Sequence, residues 1–485
     1  MPEKNVLPQN FLTRAVVLPA LCALALTVSC SRDSMRPVPF VPQISYRVSF
    51  LSGDSLHVSA TIACDRGSSL QKILFPPFDA DNPRLTLSGK NIHNVKLTDA
   101  YIEDSVRFSP WAGDSMQAML VRAGQASFTL EYDVTFPYVP GGGMRTVLPG
   151  TSGTNDWYYQ GNYIFCVPDY AESKPGLWRK NIDAAVAITA PAGRKMYGVL
   201  SGEFPAYTVY ELLFLQFTVT DRAWQCSGSS SYYAVLSSHL PEAGFSSMVC
   251  ADLAKTDSLC AGLFPPLLMP HTVIIQDSGS GMEGLFSFYI QNWSASDYQN
   301  LLRSVTSHEA LHWWVGIRTG DLNDPWWKEA TASYLGFELG GAIGFSKDVI
   351  RSHIVKDFAG NPIVEQRAMS DPYVRDYLFS PDTNLNAIAL VYGKGTQVNM
   401  ILDKMLRQAT GNTVTLFSKT GALCTHYDHG AFSRAGFKAI FEQGTGLDLS
   451  DFFSRYVDGV GPLDTALLAQ TFAWLDSCGA FTGRP

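Results

Sequence analysis

Two histidines and a glutamate stand close together near the middle of the 485-residue chain, in the stretch His308-Glu309-Ala310-Leu311-His312. Residues four positions apart lie one above the other on a helix face, so both imidazoles can reach one cation. On such a helix Glu309 is rotated by about 100° from His308. This rotation takes Glu309 away from the ligand set but lets it contact a water at the metal. The spacing therefore predicts a metal site with a glutamate general base.

The residues before this motif predict the helix that the geometry needs. Ser296 or Asp297 can cap its start. One apolar stripe follows at helical spacing, formed by Tyr298, Leu301, Leu302, Val305 and Val315. We expect a helix over residues 297–315.

A third ligand is predicted on a second helix. Asp324 and Pro325 form a good helix start, because proline is favoured at the first helical position. Glu329 lies one turn into this helix and seventeen residues after His312. Two histidines and one glutamate suit a catalytic zinc, whose fourth position stays open for water. We therefore expect one Zn²⁺ per chain, bound by His308, His312 and Glu329. The alternative for Glu329 is an ordinary glutamate on a helix surface.

Three stretches carry a resemblance to known peptidases. The zinc pattern with Glu329-Ala330-Thr331-Ala332-Ser333-Tyr334 resembles the gluzincins, the thermolysin-like superfamily. Tyr392-Gly393-Lys394-Gly395 is similar to a segment shared by the aminopeptidase N and glycyl aminopeptidase families. Phe452-Phe453-Ser454-Arg455-Tyr456-Val457-Asp458-Gly459 is similar to the C-terminal region of the glycyl aminopeptidase family. The chain thus resembles the glycyl aminopeptidases and, more distantly, aminopeptidase N.

This resemblance implies an activity and further roles. The chain would hydrolyse peptide bonds, aminopeptidase-like, with zinc-activated water that gives a proton to Glu309. Tyr392 would donate a hydrogen bond to the oxyanion of the tetrahedral intermediate. A core tyrosine with a satisfied hydroxyl is the alternative for Tyr392.

The resemblance also implies a substrate-binding segment upstream of the zinc helix. Gly281, Met282 and Glu283 follow a predicted strand at Thr272–Gln276, and in both families a glutamate at this place helps bind the free amino group of the substrate. Gly284 departs from the family motif at its last position, and Ser280, just before Gly281, replaces its first glycine. An endopeptidase with the same site therefore stays open. So does a catalytically inactive cell-surface binding lipoprotein on a gluzincin fold.

The elements that position these residues fall into two kinds. From 46 to 225, short alternating runs such as 56–61 and 214–219 predict an N-terminal β-sandwich-like domain. From 226 to 410, mostly helical patterns predict a thermolysin-like α/β catalytic domain, and residues 411–485 predict a C-terminal α-helical region. The predicted fold class is α+β multidomain. A glycine-rich loop over 140–162 has no predicted role.

The N-terminus predicts export. Residues 1–29 are typical of a signal peptide, with an apolar run from Ala15 to Val28. The residues before Cys30 resemble the lipobox of a bacterial lipoprotein, so we expect a lipidated Cys30, a tether over 30–45 and a membrane anchor. The expected location is the outer membrane, at its periplasmic or cell-surface face. Simple secretion is the alternative.

Composition limits the expected binding partners, and the cysteine count limits the possible disulfides. The formal charge of −8 and the pI near 5.6 provide no basic surface for nucleic acid, so the expected partner is a peptide substrate. Seven cysteines remain after Cys22 and Cys30, and a disulfide between Cys250 and Cys260 is one option among several. Oligomeric state and side-chain preference are not determined by the sequence.

Overall fold

The computed structural model describes eleven stretches of the chain. They are residues 43–64, 70–75, 92–108, 116–135, 156–168, 181–199, 203–267, 269–277, 281–321, 326–371 and 388–482. The predicted signal peptide, Cys30 and all but the last residues of the tether lie outside these stretches, as do Asp324, Pro325, Ser280 and residues 140–155 of the glycine-rich loop. What the sequence predicts for those residues stays a prediction.

The described strands number twenty and alternate with helices in the second half of the chain. The strands are β1 (Gln43–Ser52), β2 (Ser55–Ala63), β3 (Leu70–Phe75), β4 (Ile92–Thr98), β5 (Ala100–Phe108), β6 (Met116–Ala123), β7 (Ser127–Thr135), β8 (Trp157–Gln160), β9 (Val167–Pro168), β10 (Asn181–Thr189), β11 (Met196–Tyr197), β12 (Glu203–Thr208), β13 (Gln216–Val219), β14 (Ala223–Gln225), β15 (Tyr232–Val235), β16 (Thr272–Gln276), β17 (Gly281–Met282), β18 (Ser287–Gln291), β19 (Thr319–Asp321) and β20 (Gly430–Phe432).

The described α-helices are Val209–Leu213, Ala243–Cys260, Ala295–Asp297, Arg303–Leu311, Trp326–Ala342, Lys347–Ile354, Pro362–Gln366, Gly395–Ala409, Leu416–His426, Arg434–Glu442, Ser450–Phe452 and Thr465–Ser477. Three π-helical turns, Tyr298–Leu302, Ala389–Lys394 and Phe453–Val457, and one 3-10 turn, Gly161–Tyr163, complete the set.

Alternating side chains fold the first part of the chain into three sheets. The largest has the order β12-β10-β1-β2-β7-β4, with β1 and β10 parallel and its other pairs antiparallel. In β2 every second residue is fully buried, namely Leu56, Val58, Ala60 and Ile62. The other sheets have the orders β5-β6-β3-β9 and β11-β13-β8. Side chains of all three sheets meet in one apolar core, as period-two burial requires.

One of the predicted strands is two residues shorter than expected. Residues 214–219 alternate as a strand would, but the strand is only β13 (Gln216–Val219), and Phe214 ends the helix Val209–Leu213. The reason is a cap, because the Thr208 side chain accepts a hydrogen bond from the Glu211 backbone N–H.

A mostly parallel sheet carries the second part of the chain. Its order is β14-β15-β16-β18-β17, with β15, β16 and β18 parallel and β17 antiparallel to β18. All five residues of β16 are buried, which confirms the predicted strand. One apolar cluster joins this sheet to the helix Ala243–Cys260 and to Ala310 in the metal motif. The sheet therefore fixes the helix that holds the metal motif.

The cysteine pairing differs from the option considered. Cys226 and Cys250 form a disulfide, and Cys260 is a buried free thiol. A Cys250–Cys260 bond is wrong because both residues lie on one helix. Ten residues of helix span about 15 Å, whereas disulfide-bonded Cα atoms stand within about 7 Å.

The described residues between 43 and 482 belong to one compact unit. The predicted boundaries after 225 and 410 therefore remain predictions. In the part of the chain that the structure describes, no helix combines the length and apolarity needed to cross a membrane.

A buried charge cluster joins two helices behind the metal motif. Arg407 donates to Glu338 at 2.7 Å and to Asp403 at 2.9 Å, and Tyr334 also donates to Asp403 at 2.9 Å. Two carboxylates thus share one guanidinium. Asp403 receives more donors than Glu338, whose second oxygen has no partner among the described residues. Burial and the charge of Asp403 raise the pKa of Glu338 to about 8.

This cluster predicts a pH dependence of stability. In the unfolded chain Glu338 has the ordinary glutamate pKa of about 4.3. In the folded chain it keeps its proton up to a higher pH. Its stabilising contribution is therefore complete below the unfolded pKa and is lost as pH rises to about 8, the folded pKa. We expect the free energy of unfolding to fall over this window, and Glu338→Gln to remove on the order of a few kcal/mol of that decline.

Denaturant unfolding from pH 4.5 to 9 measures this effect. Glu203→Gln is the matched control, because Glu203 is an exposed glutamate on β12. An equally steep decline in the Glu338→Gln variant would contradict the assignment.

Candidate active site

The helix that carries the histidines starts earlier and ends sooner than expected. Ser294 caps it, since its hydroxyl accepts a hydrogen bond from the Asp297 backbone N–H. Helical structure then runs through a π-helical turn into Arg303–Leu311, called here the HExxH helix. The predicted caps Ser296 and Asp297 and the predicted end at Val315 are therefore wrong by a few residues. His312 follows the last helical residue with φ −62° and ψ −15°, so it keeps the helical spacing to His308.

The three predicted ligands come together. His312 Nε2 lies 3.1 Å from His308 Nε2 and 3.2 Å from Glu329 Oε2, and His308 Nε2 lies 3.5 Å from the same oxygen. Donor atoms bound to a tetrahedral zinc at about 2.0–2.1 Å stand about 3.4 Å from one another. The spacing and the donor types of this set therefore fit a zinc ion.

Neighbouring groups orient both histidines. His312 Nδ1 lies 2.9 Å from the Val315 carbonyl oxygen, which accepts only a donated proton. This contact assigns the proton to Nδ1 and leaves the Nε2 lone pair for a metal. His308 Nδ1 lies 3.4 Å from the Ser333 hydroxyl. Ser333 is on the helix Trp326–Ala342, called here the Glu329 helix, so that helix supplies one ligand and supports another.

Glu309 is buried beside the ligands. Its Oε2 atom has no hydrogen-bond partner among the described residues, and the carboxylate has an oxygen within 4.8 Å of ligand atoms of His312 and Glu283. Burial raises the pKa of the Glu309 carboxyl. A Cβ atom on Gly281 would overlap the Glu309 carboxylate, so the glycine keeps this space open. The orphaned oxygen fits a base that receives a proton from water.

Tyr392 lies close to the proposed ligand His308. It lies on the π-helical turn Ala389–Lys394, with its ring centroid 6.1 Å from that of His308. Burial, then the charges of Glu329 and Glu283, raises the pKa of its hydroxyl. The hydroxyl therefore stays protonated and can act as a donor.

The two C-terminal motifs of the sequence meet at this turn. Lys394 is buried and its ammonium donates to the Gly459 carbonyl oxygen at 2.6 Å. Met369 N–H donates to the Val457 carbonyl oxygen at 3.0 Å. The segment that ends at Gly459 thus contacts the π-helical turn of Tyr392 through the hydrogen bond from Lys394. This contact gives a physical reason for the co-occurrence of the two motifs.

The predicted substrate segment lies at the edge of the sheet. Gly281 and Met282 form β17, the last strand of the five-stranded sheet, and Glu283 follows at once. The backbone of β17 lies beside the HExxH helix, since a Cβ atom on Gly281 would overlap the Glu309 side chain. The role of Glu283 as an anchor for the substrate's amino group stays a prediction.

Sequence reasoning missed Lys328. Its ammonium contacts the Glu283 carboxylate, donates to the Tyr210 hydroxyl at 3.0 Å and lies 3.1 Å from Glu329 Oε1. The ion pairs hold its pKa above the ordinary value and lower the pKa of Glu283. The available signal was its position, since it directly precedes Glu329 and follows two buried tryptophans, Trp326 and Trp327.

A cavity of about 350 Å³ opens next to His308, Glu309 and Tyr392. Apolar and aromatic side chains form much of its wall, with a lysine and a histidine among them: Val305, Phe337, Phe358, Ile388, His353 and Lys356. A space of this kind beside a metal motif is suited to a substrate side chain.

Comparison with known proteins places the fold. No protein-family profile matches the sequence, and no curated protein matches it. Among solved structures, an aminopeptidase N family protein of Idiomarina loihiensis is 17% identical with a TM-score of 0.61, over 88% of this chain and 78% of that one. An M1 zinc metallopeptidase of Deinococcus radiodurans is 13% identical with a TM-score of 0.54, over 88% and 95%.

Leukotriene A4 hydrolase of Saccharomyces cerevisiae is 12% identical with a TM-score of 0.56, over 90% of this chain and 71% of that one. The chain therefore shares the mixed helix and sheet fold of M1 peptidases. The resemblance to the glycyl aminopeptidase family remains a prediction.

Proposed function

We propose that this protein hydrolyses peptide bonds with the help of one zinc ion. The observation that carries the proposal is the convergence of His308 Nε2, His312 Nε2 and the Glu329 carboxylate, with the buried Glu309 beside them. The shared fold with M1 zinc metallopeptidases supports it. Zinc, when bound, polarises a scissile carbonyl and lowers the pKa of water.

The residues of the chain divide the remaining work. Glu309 takes the proton of the attacking water and can pass it to the leaving amine. Tyr392 donates a hydrogen bond to the oxyanion as it forms, because its hydroxyl keeps its proton and lies by the ligand set. Trp326 and Trp327, in the first turn of the Glu329 helix, anchor that helix by packing on Phe437 and Phe432.

The edge strand β17 offers a way to bind substrate backbone. It pairs with β18 on one side, and no described strand pairs with its other side. A peptide can add to such an edge by main-chain hydrogen bonds, which recognise an extended backbone of any sequence. The substrate class is accordingly peptides.

The specificity for one end of a peptide is a separate part of the proposal. Aminopeptidase-like activity, expected from the resemblance, needs the Glu283 carboxylate to bind a substrate amino group. An endopeptidase with the same site is the second candidate. The ion pair between Glu283 and Lys328 favours the second candidate.

Export belongs to the proposal as well. The apolar run before Cys30 supports a lipid-anchored protein outside the cytoplasm. The Cys226–Cys250 disulfide agrees with an oxidising compartment.

Metal analysis and chelation test the proposed function. We expect about one zinc per purified chain, cleavage of a mixed peptide pool, loss of cleavage on treatment with 1,10-phenanthroline, and recovery on addition of zinc. His308→Ala should lose zinc and activity together, whereas His426→Ala, a histidine outside the ligand set, should lose neither. A zinc-free protein that binds peptides without cleaving them would instead support the inactive binding lipoprotein.

A further inference from the structure

The Lys328 side chain lies inside the candidate active site. It extends from the first turn of the Glu329 helix, and the residue is only 8% exposed. Its ammonium has three polar neighbours, namely the Glu283 carboxylate, the Tyr210 hydroxyl and Glu329 Oε1. A positive charge is thus a fixed part of the site.

The surroundings of Lys328 are shaped for it. A Cβ atom on Gly316 would overlap the Cγ, Cδ and Cε atoms of the lysine, and Gly316 has a positive φ of 104°. Two aromatic rings from the N-terminal part of the chain face the ammonium, Tyr210 at 5.7 Å and Phe214 at 5.3 Å. The stem and the charge are therefore both held in place, so the lysine has little freedom to swing away.

The charges of the site determine whether a protonated substrate amine finds a free carboxylate there. Three described carboxylates lie around the ligand histidines, those of Glu283, Glu309 and Glu329. Glu329 belongs to the ligand set and Glu309 is the base. Glu283 is the remaining anion, and its charge is balanced by Lys328. A substrate with a protonated α-amine next to the scissile bond brings a cation that needs an unpaired anion once it leaves water.

We propose that the Lys328 ammonium, paired with the Glu283 carboxylate, occupies the position that the protonated α-amine of a substrate would need. The preferred substrates are then peptides whose scissile bond has an amide on its amino side, either internal bonds or peptides with a blocked amino terminus. This inference rests on the proposed peptide-bond hydrolysis. It names the substrate class of the same site.

Lys328 and a substrate amine exclude each other. If the amine displaced the lysine from Glu283, the lysine ammonium would stay buried beside Tyr210 and Phe214, with Glu329 Oε1 of the proposed ligand set as its remaining carboxylate neighbour. Loss of one counterion from a buried ion pair is unfavourable. Glu283 acts here as the partner that positions Lys328.

The test compares one peptide pool in two forms. Random heptapeptides with a C-terminal fluorophore are prepared once with a free and once with an acetylated amino terminus. For the wild-type, zinc-loaded protein we expect kcat/KM values within about threefold of each other, and mass spectrometry should show internal cuts. A preference of about tenfold or more for the free form, with release of single amino acids, would overturn the proposal.

Two variants assign the effect to the ion pair. Lys328→Met keeps an unbranched side chain but removes the charge, so Glu283 becomes available, and we expect a preference of about tenfold or more for the free form. In Lys328→Met/Glu283→Gln that preference should vanish. An unchanged ratio in folded Lys328→Met would contradict the proposal. If this variant does not fold, the ratio of the wild-type protein decides.

Binding separates this inference from the proposed function. Calorimetry with the zinc-loaded Glu309→Gln protein measures Kd for both peptide forms without turnover. Equal affinities support the Lys328 proposal even if the wild-type protein cleaves neither form, in which case the proposed hydrolysis fails alone. Tighter binding of the free form by about tenfold, or binding of neither form, overturns the Lys328 proposal.

Discussion

Replacement of Glu309 by glutamine is expected to lower kcat by about 10²- to 10⁴-fold, with the zinc content unchanged. Glutamine has the shape of glutamate but cannot accept a proton. Glu309 is buried, and its pKa is raised by that burial, so its carboxylate is a better base than an exposed one. Glu309 is not one of the three proposed ligands, His308, His312 and Glu329, so the metal should stay bound.

Steady-state kinetics and metal analysis on the same preparation test this expectation. Glu203→Gln, an exposed and isosteric change on β12, is the control for loss of a carboxylate. Full activity in Glu309→Gln would reject the general-base assignment. If Glu309→Gln lost zinc together with activity, Glu309 would be assigned to metal binding instead of proton transfer.

Tyr392→Phe is the second change with a large expected effect, a fall in kcat of about 10²- to 10³-fold with little change in KM. The phenylalanine keeps the ring next to His308 and removes only the hydroxyl. That hydroxyl meets charge that develops in the transition state, so its loss should act on kcat more than on substrate binding.

A second tyrosine offers a matched control. Tyr456 belongs to the C-terminal segment of the family resemblance, and its ring packs at 5.7 Å on Phe452, away from the ligands. Tyr456→Phe should keep kcat. If Tyr392→Phe keeps it too and changes only the thermal midpoint of unfolding, Tyr392 is a core tyrosine, the alternative that the sequence left open.

Local spacing explains why part of the site was predictable. The HExxH pattern is a property of four consecutive helical steps, so the two histidines meet wherever the helix forms. Glu329 is near in sequence and lies in the first turn of its own helix. Strands were predictable for a similar reason. In β1, β2 and β7 one buried face imposes an alternation of apolar and polar residues. In β16 full burial imposes a continuous apolar run.

Competing local signals explain the errors. The run 214–219 alternates like a strand, but Phe214 is the C-cap of the helix that Thr208 caps at its other end, so the strand begins only at Gln216. Three serine and aspartate residues could have capped the HExxH helix, and only backbone geometry selects Ser294. The disulfide joins Cys226 to Cys250 rather than Cys250 to Cys260, since two cysteines on one helix cannot meet.

The sequence by itself determined the chemistry at the metal, because His308, Glu309 and His312 are related by helix geometry alone. Tertiary structure decided which charged group lies beside the proposed metal ligands, namely the Lys328 ammonium. Lys328 meets Glu283 from 45 positions away and Tyr210 from 118 positions away, so no periodicity links them. Glycine at 316 makes room for that lysine, a contact between chain segments that only packing creates. Short-range geometry therefore predicts a metal site with a general base, and long-range packing supplies the charge on which the proposed substrate class rests.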